Sequence, residues 1–176
     1  MKTQHLKPYD ILLYRGEGFT SKLVEWGSNS VYSHVAVVVD AEIFLGIESN
    51  TGHQSGVRAM DLRKFPDDRV DVFRVKAECN FDGNKVISFL VDCLGADYDW
   101  LGVCSLAILK GISFLTGFKK FQNYNAFQKE KDYFCSELVY RAFQEGGLDI
   151  VPQVSQAEVT SPGDIAQSGC LEKVAA

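Results

Sequence analysis

Three residues of this chain have the types needed to attack a carbonyl group: a thiol at Cys135, an imidazole at His34 and a carboxylate at Glu48. Cys135 lies in DYFCSELVYRAFQEGG, Asp132 to Gly147. There Leu138, Val139, Ala142 and Phe143 recur at helical spacing, so the stretch predicts a helix of about three and a half turns. Asp132 suits its N-cap, and Gly146 and Gly147 supply the stop. Cys135 then falls in the first turn, where the positive end of the helix dipole favours a thiolate over a thiol. Many cysteines are simply small buried hydrophobes. Position alone therefore does not make Cys135 a nucleophile.

His34 opens SHVAVVVD, Ser33 to Asp40, a dense β-branched run, and Glu48 closes most of EIFLGIES, Glu42 to Ser49. Two such runs joined by a tight turn predict an antiparallel hairpin. With the turn centred on Ala41, Val39 faces Ile43, Val37 faces Leu45, Val35 faces Ile47, and His34 lies opposite Glu48. Directly opposed side chains have Cβ atoms about 4.5–5.5 Å apart, close enough for an imidazole to bond a carboxylate. A register one residue away would put Glu48 on the other face. Taken singly, His34 also reads as a strand-end histidine bonded to backbone, and Glu48 as a solvated rim carboxylate.

The rest of the chain must position these groups. At 176 residues, 1–176 reads as a single domain long enough to bury its own core. With 18 basic against 23 acidic residues the net charge is −5, which argues against nucleic acid as a main partner. Five cysteines, at 79, 93, 104, 135 and 170, form an odd set without a CxxC motif or a Cys–His cluster. Structural zinc and a disulfide framework are both disfavoured, and no motif calls for a cofactor. His53 has no visible metal partners and reads as solvated. The N-terminal MKTQHLKPYD lacks an apolar core of the secretory kind, so the expected location is a reducing cytoplasm.

In chain order, Tyr9 to Tyr14 reads as a strand turned by Arg15 to Gly18, and Phe19 to Trp26 as a short helix ended by Gly27. After the hairpin, Asn50 to Gly56 is a polar loop and Val57 to Leu62 returns as a strand. Pro66, Asp67 and Asp68 make a turn into the strand Val70 to Val75. Phe81 to Leu94 predicts an amphipathic helix capped by Asp82, with Val86, Phe89, Leu90 and Cys93 inward and Gly95 ending it. Trp100 to Phe118 is the most apolar window. Lys110 near its middle and three helix-weakening glycines argue against a membrane span; a buried helix remains, or else an apolar lip over a groove, which leaves room for peripheral membrane contact. Past Gly147, Ser161-Pro162 opens a last short helix. Oligomeric state is left open.

The segments YDILLY, SHVAVVVD around His34, IES around Glu48, GADYDW around Tyr98 and YFCSELVYRAF around Cys135 together resemble the permuted papain-like amidases of the YiiX type. These are circularly permuted relatives of the NlpC-type cell-wall peptidases. The resemblance implies an α+β fold with a five- to six-stranded, mostly antiparallel and partly barrel-like sheet, the Cys135 helix packed on it. It also implies Cys135 as nucleophile, His34 as base and Glu48 as the group orienting the imidazole, with Tyr98 as a donor to the oxyanion. The expected activity is cleavage of an amide, on peptidoglycan-type peptides, through a thioester. Lecithin:retinol acyltransferase-like enzymes share the His-then-Cys order and act on lipids, so a lipid or N-acyl substrate is the alternative. A third option, from another class, is a non-catalytic binding module of the same fold.

Overall fold

The computed structural model describes residues 6–16, 30–51, 55–64, 67–98, 133–154, 157 and 160–174. The expected helix at 19–26, His53, the N-cap candidate Asp132 and the apolar window 100–118 lie outside them. Among the described residues, six strands form one sheet: β1 (Ile11–Tyr14), β2 (His34–Asp40), β3 (Leu45–Asn50), β4 (Gly56–Asp61), β5 (Val70–Val75) and β6 (Leu171–Lys173). Their order is β4-β3-β2-β1-β5-β6, and every neighbouring pair is antiparallel. β1 thus lies inside the sheet, where Ile11, Leu12 and Leu13 have no exposed surface.

Alternation divides the sheet into two faces. Ile11, Leu13, Val35, Val37, Ile47 and Val57 join the main core, while Leu12, Ala36, Val38, Leu62 and Val70 form a smaller cluster with Leu6. The main core is closed by α1 (Gly83–Asp92) and α2 (Cys135–Glu145), with α3 (Pro162–Ala166) beside α2. α1 starts where expected. The Asp82 carboxylate accepts from the amides of Asn84 and Lys85 at 3.1 and 3.3 Å, and Val86 and Leu90 are fully buried. α3 opens on a reciprocal cap between Ser161 and Asp164, with Pro162 in its first turn.

Two expectations need correction, and one strand was not expected. The β2–β3 turn spans Ala41–Phe44 rather than centring on Ala41, so Glu42, Ile43 and Phe44 leave the strand and Ile43 is 67% exposed. The Asp40 side chain accepts from the amides of Glu42 and Ile43 at 2.8 and 3.3 Å, and Phe44 takes a left-handed φ of 59°. An aspartate bonding its own turn outweighs the β propensity of Ile43 and Phe44. The Cys135 helix is the second case: its N-cap is Phe134, not Asp132. The unexpected strand is β6. Only Leu171 of its three residues is buried, too short a pattern to alternate. Among the described residues, no helix is long and apolar enough to cross a membrane.

Candidate active site

The shifted turn changes how His34 and Glu48 meet. Glu48 lies across from Ala36, and Val37 from Ile47, so the hairpin is offset by two residues from the expected pairing. An offset of two keeps parity, and the two side chains stay on one side as diagonal neighbours. His34 Nε2 lies 2.7 Å from Glu48 Oε2. The side chains are 16% and 4% exposed, so the contact is nearly dry. Dryness strengthens it.

The Glu48 carboxylate has further partners. Arg58, directly across on β4, donates to Oε1 from Nε at 3.0 Å and from Nη2 at 2.8 Å. Asn50, two residues along β3, donates to the same oxygen from Nδ2 at 3.2 Å. Burial by itself would raise the Glu48 pKa. The bond and charge of His34, with the donors Arg58 and Asn50, overcome it and hold the group at about 2. Sequence reasoning missed Arg58 and Asn50. The signal was present: pairing Val57–Leu62 back onto Glu42–Ser49 through a short loop sets Arg58 near Glu48.

Cys135 enters from the opposite end of the chain. It is the first residue of α2, 6% exposed, and it stands near enough to the His34 imidazole to act on its charge. Burial disfavours a charged imidazole here, but the hydrogen bonds and negative charges of Cys135 and Glu48 outweigh it and raise the His34 pKa to about 10. Helix geometry leaves the amides of Cys135, Ser136 and Glu137 without partners inside the helix, since the first such bond runs from the Leu138 amide to the Phe134 carbonyl. These amides point their partial positive charge toward the thiol end. Glu137, on the same turn and fully buried, accepts from Arg141 Nε at 2.9 Å.

Tertiary bonds fix this helix start, because Phe134 gives it no side-chain cap. Ser49, next to Glu48 and fully buried, donates its hydroxyl to the Tyr133 carbonyl at 2.5 Å. The Tyr133 amide donates to the Asp97 carbonyl at 3.1 Å. Ser136 Oγ donates to the Thr160 carbonyl at 2.8 Å. Tyr98, the remaining expected site residue, directly follows Asp97 and is half-buried. The segment leading to it presses on β4: a Cβ on Gly56 would lie 2.3 Å from the Ala96 carbonyl oxygen, and Gly56 has a left-handed φ of 112°. An imidazole bonded to a carboxylate thus stands beside a thiol at a helix start. Such an arrangement can hold a thiolate–imidazolium pair and pass a proton along the imidazole.

No protein-family model and no curated protein sequence matches the chain. Among solved structures it is similar to the metalloprotein YiiX from Escherichia coli O157:H7, at 17% identity and a TM-score of 0.66, over 96% of each chain. A metal does not fit the residues seen here. Both Glu48 oxygens are already bonded to His34, Arg58 and Asn50, and among the described residues no group of three or more His, Cys, Asp or Glu could hold an ion. The chain has a YiiX-type fold.

Proposed function

We propose that this protein is a cysteine hydrolase, an amidase or peptidase of permuted papain-like architecture spanning residues 1–176, with Cys135, His34 and Glu48 as its triad. The observation that carries this is the 2.7 Å bond from the His34 ring to a buried, ionised Glu48, with Cys135 beside that ring at the first residue of α2. A merely structural cysteine has no need of an imidazole with a carboxylate behind it.

In the first half-reaction the Cys135 thiolate attacks an amide carbonyl carbon, and the carbonyl electron pair moves onto oxygen. The Cys135 backbone N–H at the helix start supports that oxyanion, with the Tyr98 hydroxyl as a second donor. Collapse of the tetrahedral species breaks the C–N bond. The His34 imidazolium gives its proton to the leaving amine, and a thioester remains on Cys135. Water then attacks the thioester, neutral His34 takes the water's proton, and the acid leaves with the thiolate restored. Glu48 never changes protonation; it orients the ring and balances its charge.

The test has two parts. Iodoacetamide at neutral pH should alkylate Cys135 ahead of the other four cysteines. Turnover should be sought on γ-glutamyl-diamino acid peptides and, alongside, on acylated amines and lipids, with the substrate class read from whichever is cleaved. Cys135→Ala should lower that turnover at least about a thousandfold while leaving the circular dichroism spectrum unchanged. Activity retained in Cys135→Ala would end the proposal.

A further inference from the structure

We propose that Arg58 is a positioning residue of this site: with Asn50 it anchors one oxygen of Glu48, so that only the other, Oε2, faces His34. This rests on the hydrolase function proposed above and assigns part of its machinery. Three N–H donors converge on Oε1, two from the Arg58 guanidinium and one from Asn50, at 2.8 to 3.2 Å. A carboxylate so held cannot rotate to exchange its oxygens without breaking all three bonds. Its plane, and with it the direction of the His34 ring, is set from the β4 side of the sheet.

Arg58 also supplies a charge that no step of the reaction removes. Four groups bear on this carboxylate or its partner: His34 from β2, Asn50 from its own strand, Arg58 from β4, and Cys135 from α2 through the imidazole. His34 carries its positive charge only until it protonates the leaving group. From that moment until water is deprotonated, a carboxylate 4% exposed would face a neutral ring. A guanidinium stays charged throughout. Arg58 therefore keeps Glu48 ionised and in place across the half of the cycle in which His34 is neutral. A structural requirement alone would not select this residue, since a partly exposed position on a sheet edge accepts many side chains.

The experiment needs no substrate. The rate of Cys135 alkylation by iodoacetamide is followed from pH 4 to 10 by mass spectrometry, and the titration midpoint of Glu48 by NMR of carboxyl-labelled protein. Arg58→Met should slow alkylation at neutral pH about tenfold and raise the Glu48 midpoint. Arg58→Lys should fall between, because lysine restores the charge without the planar fork. Arg63→Met, which removes an exposed arginine paired with Asp61, should match the unaltered protein. In a Glu48→Gln background, Arg58→Met should change the rate less than about twofold, since Arg58 acts through Glu48. The proposal is overturned if Arg58→Met matches the unaltered protein in both readouts. It is equally overturned if Arg58→Met costs the same factor with and without Glu48. Lack of selective Cys135 alkylation in the unaltered protein would instead sink the hydrolase function itself, and the role of Arg58 with it.

Discussion

His34 draws its charge from its neighbours, and this sets the pH dependence of the site. Its folded pKa of about 10 lies above its ordinary value of 6.5, so its stabilising contribution is complete below 6.5 and lost as pH rises through 10. Glu48 is shifted the other way, from 4.5 to about 2, so its contribution is complete above 4.5 and lost as pH falls toward 2. The two overlap fully between pH 4.5 and 6.5. We predict that the gap in urea stability between the unaltered protein and Glu48→Gln is widest in that window and narrows on both sides. A gap that kept growing to pH 9 would contradict the pairing. At this scale much was legible in the sequence. The alternation around His34 and Glu48 placed both on one side, and an offset of two residues left that intact. Arg58 was harder to see, because an arginine on a strand reads as solvated until its cross-strand partner is known.

The element that matters most is α2, and its start shows how tertiary bonds replace a local cap. Asp132 was the expected cap, yet the helix begins at Cys135 with Phe134 ahead of it. That choice sets the thiol at the first helical residue, where unpaired amides concentrate. Sequence signals favour an aspartate there, but the Ser49–Tyr133, Tyr133–Asp97 and Ser136–Thr160 bonds fix the entry from outside the helix. Ser49→Ala would strip the Tyr133 carbonyl of its buried donor. We expect a loss of about 1 kcal/mol in urea unfolding and slower Cys135 alkylation, because the helix start would loosen. A variant with lowered stability but unchanged alkylation would show that Ser49 serves the fold without serving the thiol. α1 was legible almost residue by residue, because Asp82 and the apolar spacing from Val86 agree.

Across the whole molecule, the sheet order explains why the first strand carries the core. β1 is bordered by β2 and β5, and its side chains enter both apolar clusters. Leu13→Ala should cost about 2–5 kcal/mol in denaturant unfolding, while Ile43→Ala, in the exposed turn, should stay within about 0.5 kcal/mol. Equal effects would mean that the sheet is not organised around β1. The antiparallel class and five of the six strands could be read from β-branched runs between turn signals. β6 could not, since its place is fixed by pairing with β5 rather than by its own pattern. The same order has a kinetic consequence. His34 and Glu48 are 14 residues apart and Arg58 and Glu48 are 10, within a local meander, whereas the Ser49–Tyr133 bond at the thiol end spans 84. Closing short loops costs less entropy than closing long ones, so local contacts lead in folding and distant ones follow. The cluster of His34, Glu48 and Arg58 is thus the part a folding chain can build early, and Cys135 joins it late. A chain still folding carries Cys135 apart from His34.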